Sequence, residues 1–177
     1  MVRQRHGPAP TGEVLDRDGS FAVCLGRSVT VPPAEVWSWL TELDRVRIWL
    51  GEPTGEHTFR LAGMTVDAPP LSYLVERRER QERLTVAMRD DSPRGAGAQW
   101  RLDVTLTETE TGTHLMLEQT ITDRVPAPSV AAACEFYLDR LVRACHGQPF
   151  TDLDPDDYFL SQGETYRRMF PLPREQG

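Results

Sequence analysis

Apolar residues alternate with small or polar ones from Ser20 onward, Phe21, Val23 and Leu25 sharing one face before β-branched Val29, Thr30 and Val31, which predicts a strand ending at Pro32-Pro33. The period then changes. Val36, Trp37, Leu40 and Leu43 recur at helical spacing behind proline in the first turn, so a short helix to about Leu43 is expected. Asp44 reads as the N-cap of a second short helix striped by Val46, Trp49 and Leu50 and ended by Gly51 and Pro53.

The middle of the chain returns to a period of two. His57, Phe59 and Leu61 form one inward face, Leu71, Tyr73 and Val75 the next, then Leu84, Val86 and Met88. Trp100, Leu102, Val104 and Leu106 alternate with polar residues without a break, and after a turn at Gly112 so do Thr113, Leu115, Leu117, Gln119 and Ile121. Successive hairpins of this kind predict an antiparallel sheet of about six strands. A linker from Asp123 to Pro128 leads into a helix from Ser129 to His146. Its stripe is Val130, Ala133, Cys134, Tyr137, Leu138, Leu141, Val142 and Cys145, with Ser129 as its cap and Gly147 and Pro149 as its stop. Only a sheet can bury so long a stripe in this chain. Beyond it, the spacing Ser161-x-x-Glu164 suits a capping box for a short helix that ends before Pro171.

The organisation expected is a flexible tail over 1–12, one α+β domain over 13–150, and an extension over 151–177 with a short helix. The domain is expected to close at Gly147 and to fold without the segment from Thr151 onward, unless Tyr158, Phe159, Tyr166, Met169 and Phe170 pack across the sheet or a dimer partner. A length of 177 residues suits one core, since such a domain buries roughly 70% of its unfolded surface. No stretch approaches the roughly 20 apolar residues of a membrane span, and Met1 to Gly12 lacks the apolar run of a secretion signal, so a cytoplasmic protein is expected.

Charge and residue usage remove several chemistries. All 20 basic residues are arginine, so Schiff-base chemistry and the lysine-ended phosphate loop are absent. A net charge of −7 argues against nucleic acid, and the cluster Arg77, Arg78, Arg80 and Arg83 is interleaved with Glu76, Glu79 and Glu82 as a solvated hairpin end. Cys24, Cys134 and Cys145 have no Cys-x-x-Cys spacing and read as buried reduced thiols. Asp152, Asp154 and Asp156 alternate as in a calcium loop, but Asp157 and Gly163 stand where that loop requires Gly and Glu. His57, His114 and His146 lie on different elements, no Gly-x-Ser-x-Gly occurs, and Gly95-Ala96-Gly97 lacks the third glycine of a dinucleotide fingerprint. No metal or cofactor is expected.

The order of one strand, two short helices, a run of antiparallel strands and a long C-terminal helix resembles the helix-grip fold of the START and birch-pollen-allergen superfamily. Val31 to Glu42 with Ile48-Trp49-Leu50, Gly112 to Gln119, and Tyr137 to Leu141 are similar to stretches of bacterial homologues of the activator of the heat-shock-protein ATPase. The resemblance runs from about Ser20 to Gly147. It departs where many relatives carry Gly-Trp in place of Ala133-Cys134 and His or Glu in place of Gln119. It implies a fold whose members bind lipids and hormones, cyclise polyketides or activate a chaperone, so the fold does not choose the function.

One helix cannot fill a strongly curved sheet, and the space left over predicts a pocket lined by Phe59, Tyr73, Met88, Trp100, Leu117, Gln119, Tyr137 and Leu141. Trp37, Trp49 and Trp100 read as core, while Trp39, if exposed on the first helix, could flank the cavity entrance or a partner surface. Gln119 is a polar amide on an apolar face, so it either bonds a neighbour or addresses a ligand or trapped water. The leading reading is non-enzymatic binding of a hydrophobic or amphipathic small molecule. A cyclase or dehydratase in the same pocket is the alternative, weakened by the absence of a carboxylate on an inward strand position. A protein-interaction module resembling a chaperone activator, or a homodimer, stays open.

Overall fold

The computed structural model describes residues 7–17, 20–63, 69–91, 99–121 and 127–170. Gly95-Ala96-Gly97, the linker start at Asp123 and the first six residues lie outside them. Eight strands form one antiparallel, curved and unclosed sheet: β1 (Glu13–Arg17), β2 (Ser20–Val29), β3 (Gly51–Gly55), β4 (Thr58–Leu61), β5 (Leu71–Glu79), β6 (Arg83–Arg89), β7 (Gln99–Thr109) and β8 (Gly112–Ile121). Their spatial order is β1-β2-β8-β7-β6-β5-β4-β3. Among the described residues four helices accompany the sheet: α1 (Pro33–Thr41), α2 (Leu43–Trp49), α3 (Ala127–Cys145) and α4 (Pro155–Met169). Among the described residues no helix is long and apolar enough to cross a membrane.

The six strands expected from alternation are present, and the two additional ones, β1 and β3, form the edges of the sheet. Neither alternates: Glu13–Arg17 is largely exposed, and Gly51–Gly55 is too short and too rich in Gly and Pro to show a face. Gly51 does stop α2 as expected, and at once starts β3. Its φ of 147° brings the backbone so near Arg60 O that a Cβ would stand 2.1 Å from it.

Helix α3 starts earlier than the Ser129 cap implied, because Pro128 fits in the first turn of a helix, where its missing N–H costs nothing. It ends in a Schellman motif: Gly147 has φ 63°, Gln148 N donates to Arg143 O at 2.8 Å and Gly147 N to Ala144 O at 3.0 Å. Helix α4 begins at Pro155, six residues before the expected capping box. Asp154 caps it by accepting from Asp156 N, and Ser161, now mid-helix, donates instead to Asp157 O. Of the three alternating aspartates, Asp154 thus caps α4 and Asp152 pairs with Arg143 at 2.6 Å.

Tyr158, Tyr166 and Phe170 of the extension are buried, and Phe170 meets Phe21 of β2 edge to face at 5.6 Å; Phe159 and Met169 remain exposed. Helix α3 also carries Glu135, Phe136 and Asp139, and α4 packs on this side of it. Glu135 is only 1% exposed. Its carboxylate accepts from Tyr166 Oη at 2.6 Å, from the backbone N–H groups of Thr11 at 2.6 Å and Gly12 at 3.1 Å, from Thr11 Oγ1 at 2.8 Å and from Arg27 Nη2 at 2.6 Å. Arg27 also pairs with Asp139, one turn on, whose other oxygen accepts from Tyr158 at 2.7 Å. The N-terminal segment, β2, α3 and α4 thus meet at two carboxylates spaced i, i+4.

Burial alone would raise the Glu135 pKa, but the hydrogen bonds from Tyr166, Thr11 and Arg27 outweigh it and hold the carboxyl below its usual range. Its stabilising contribution is therefore complete above the unfolded value of 4.5 and lost as pH falls through the depressed folded value. Glu135→Ala leaves Arg27 facing a buried void and is expected to cost about 3–5 kcal/mol in urea unfolding at pH 7. The wild type should lose this advantage over the variant as unfolding is repeated at pH values descending below 4.5.

Candidate functional site

The inward faces of the strands line up into rows across the sheet. Leu84, Val104, Leu117 and Leu25 make one such row, and Val75, Val86, Leu102, Gln119, Val23 and Val14 the next. On β2 these rows are fully buried at Val23 and Leu25, whereas Val86 of β6 and Leu102 of β7 are only half-buried. Between the sheet and α3 is a cavity of about 300 Å³, at the lower end of the size of small-molecule sites.

Its walls follow from the two periodicities. Strands β6, β7 and β8 contribute Leu84, Val86 and Met88, then Trp100, Leu102 and Val104, then Leu115, Leu117 and Gln119, all at spacing two. Helix α3 contributes Val130, Ala133, Cys134, Tyr137, Leu138 and Leu141, at the i, i+3, i+4, i+7 spacing of one helical stripe. Leu40, Val46, Trp49 and Leu50 of the α1–α2 region, with Leu61 and Leu71, close the remainder. Arg140 clamps this wall by donating to Trp49 O at 2.6 Å, and Tyr137 Oη donates to Ala62 O at 2.7 Å.

Of the eight residues expected to line the pocket, Met88, Trp100, Leu117, Gln119, Tyr137 and Leu141 stand on its wall. Phe59 and Tyr73 do not. Tyr73 donates to Glu56 O at 3.3 Å and packs edge-on with His57 and Phe59, while Phe59 is buried opposite Leu71. Their parity is inward, but β5 carries a bulge between Val75 and Arg77 and pairs with β4 over only two positions, so this end forms its own aromatic cluster. Trp37 and Trp49 are buried, but Trp100 is only half-buried and lines the cavity. Trp39 does not line the cavity; its indole N–H donates to Glu35 and Arg45 lies over its ring at 5.1 Å.

Sequence reasoning missed Asp90, just past β6, and the helical wall of Leu40, Val46 and Leu50. The stripe of α2 was visible, but nothing local shows which concave surface a short helix will face. Cys134 was visible as a stripe residue without a role. In the structure its thiol donates to Gln119 Oε1 across the space between α3 and β8.

Chemically, the site is almost wholly apolar. Burial pushes the Cys134 thiol up to about 12 and, despite the lowering influence of Arg140, the Tyr137 phenol up to about 12. Both stay protonated near neutral pH and neither is poised as a nucleophile or base.

A curved antiparallel sheet gripping a long helix, with a cavity between them, defines a helix-grip protein. Residues 30–145 match the family described as activator of Hsp90 ATPase homolog 1-like protein, and the chain belongs to that family. No curated protein is similar enough to the chain to count as a relative. Among solved structures, CalU16 from Micromonospora echinospora is similar at 23% identity and a TM-score of 0.64, the match covering 90% of this chain and 95% of that one. A conserved protein of unknown function, EF2215 from Enterococcus faecalis, matches at 14% identity and a TM-score of 0.64, over 90% and 92% of the two chains. DynU16, described as a protein in the dynemicin biosynthetic locus, matches at 24% identity and a TM-score of 0.59, over 72% of this chain and 48% of that one.

Cys134 and Cys145, both buried with thiols pushed up to about 12, should resist iodoacetamide at pH 8.5 in the folded protein and alkylate fully in 6 M guanidinium. Peptide mass spectrometry reads both states. For Trp100→Ala, the half-buried position lowers the expected loss to below the roughly 3–5 kcal/mol of a fully buried aromatic, measured by urea unfolding.

Proposed function

We propose that this chain binds a small hydrophobic or amphipathic molecule in the cavity between the sheet and α3, without converting it chemically. The observation that carries this reading is the cavity itself: about 300 Å³ of space walled by aliphatic and aromatic side chains from three central strands and three helices. A void of that volume forfeits packing contacts throughout its lining, a cost that occupation by an apolar ligand removes.

The polar groups on the wall favour binding over catalysis. Tyr137 and Cys134 are held in their neutral forms and each already donates within the protein. A cyclase or dehydratase would need a group able to exchange a proton with its substrate, and Asp90 beyond the end of β6 is the one carboxylate among the described lining residues. The described place of DynU16 in a natural-product biosynthetic locus adds support for a small organic ligand.

Leu141 is 2% exposed and lies on the helical wall of the cavity. Leu141→Trp is expected to fill the space with a modest loss of stability, where a packed core would lose about 1–3 kcal/mol, while uptake of a fluorescent hydrophobic probe drops sharply. Native mass spectrometry of freshly purified wild type should show a retained small-molecule adduct that the variant lacks. Unchanged probe uptake by a folded Leu141→Trp protein would overturn the proposal, and a stoichiometric protein complex without any adduct would favour a partner-binding role.

A further inference from the structure

The cavity's most unusual feature is a single amide. Gln119 sits in the middle of a row that runs across six strands and is otherwise Val14, Val23, Leu102, Val86 and Val75. It is 5% exposed, and its side chain lines the cavity. Cys134 donates to its Oε1, which accounts for the carbonyl half of the carboxamide. Among the described residues no acceptor pairs with Nε2, and Gln119 lines the cavity, which leaves its N–H donors available to an occupant. Any aliphatic residue would continue the row without placing a polar group on this wall.

None of the other described polar groups on the wall pairs with Nε2. Tyr137 spends its hydroxyl on Ala62 O, and Cys134 spends its proton on Gln119 itself. Asp90 is acidic and sits beyond the last residue of β6, two positions past Met88. The described lining residues include no Arg, Lys or His. A carboxylate or phosphate carried into this wall would lose its hydration with no cation to replace it, a penalty far larger than a neutral oxygen pays.

Resting on the cavity reading above, we propose that the ligand is a neutral, largely apolar molecule bearing a hydrogen-bond-accepting oxygen, such as a ring ketone or quinone. The Gln119 Nε2 group receives that oxygen. The class excludes fatty acids and other amphipaths with an anionic head inside the cavity. Selectivity follows from the same asymmetry: a ligand without the oxygen leaves the amide unpaired, whereas the matching ligand pairs it in a dry site.

The test uses two planar three-ring probes that differ in one carbonyl, 9-fluorenone and fluorene, with fluorene-9-carboxylate as the anionic arm, each measured by equilibrium dialysis. Wild type should bind fluorenone about fivefold to tenfold more tightly than fluorene and the carboxylate most weakly. Gln119→Leu, which continues the aliphatic row, should bring the fluorenone preference to within twofold. Gln119→Met, closer in length, serves the same purpose if the leucine variant fails to unfold cooperatively. Equal binding of fluorenone and fluorene to wild type, a preference that survives both variants, or tightest binding of the carboxylate would each overturn the inference. The two failures are separable: binding of both neutral probes without preference, abolished by Leu141→Trp, leaves the cavity reading intact and removes only the role of Gln119. Failure of all three probes to bind would remove both.

Discussion

The buried carboxylate of Glu135 is the constraint on which the arrangement of this protein turns. A helix between a sheet and another helix can rotate about its own axis with little change in apolar area, because hydrophobic burial is not directional. A carboxylate that accepts five hydrogen bonds from three separate parts of the chain removes that freedom. Successive residues of a helix point about 100° apart, so fixing Glu135 toward Arg27 and Tyr166 also fixes its neighbour Cys134 toward Gln119. The back of α3 thereby sets which side chains the front presents to the sheet.

The cavity exists because of what that fixed helix can and cannot reach. Over β2 and β8 the sheet lies close, and Phe21, Val23, Leu25 and Leu115 are wholly buried. Farther across, Val86 of β6 and Leu102 of β7 are only half-buried, and α3 offers Ala133 and Cys134, side chains too short to close the gap. Larger residues there would fill the space. The α2 wall is kept from collapsing into it by the clamp of Arg140 on the carbonyls that end α2, and by Tyr137, which holds Ala62 from the same helix. A polar clamp on each side of an apolar void is a structural reason for the void to persist, since each bond is directional and would be lost on inward movement.

Much of this was readable along the chain, for reasons that differ between elements. The central strands announced themselves because each buries one face, which imposes a period of two on Trp100 to Leu106 and on Thr113 to Ile121. Helix α3 announced its stripe for the same reason at a period near 3.6. The edge strands β1 and β3 did not, because a strand with little buried surface places no apolar demand on its residues. Phe59 and Tyr73 had inward parity and still missed the cavity, because parity assigns a face and not a position along a sheet whose curvature and bulge decide what that face overlooks.

What the sequence determined by itself was the six strands that bury a face, the helices between and after them, their order and the family to which they belong, because local periodicity and helix punctuation are properties of neighbouring residues. It also determined that Gln119 would be a polar group in apolar surroundings. Tertiary structure alone decided its partner, since Cys134 lies 15 residues away on an element whose rotation is set by Glu135 and, through it, by Thr11 and Tyr166, up to 124 residues distant. It likewise decided that the α4 tyrosines would complete the buried carboxylate site. Those pairings arise from where long-range contacts bring the chain together, and no spacing in the sequence encodes a distance that only the folded sheet creates.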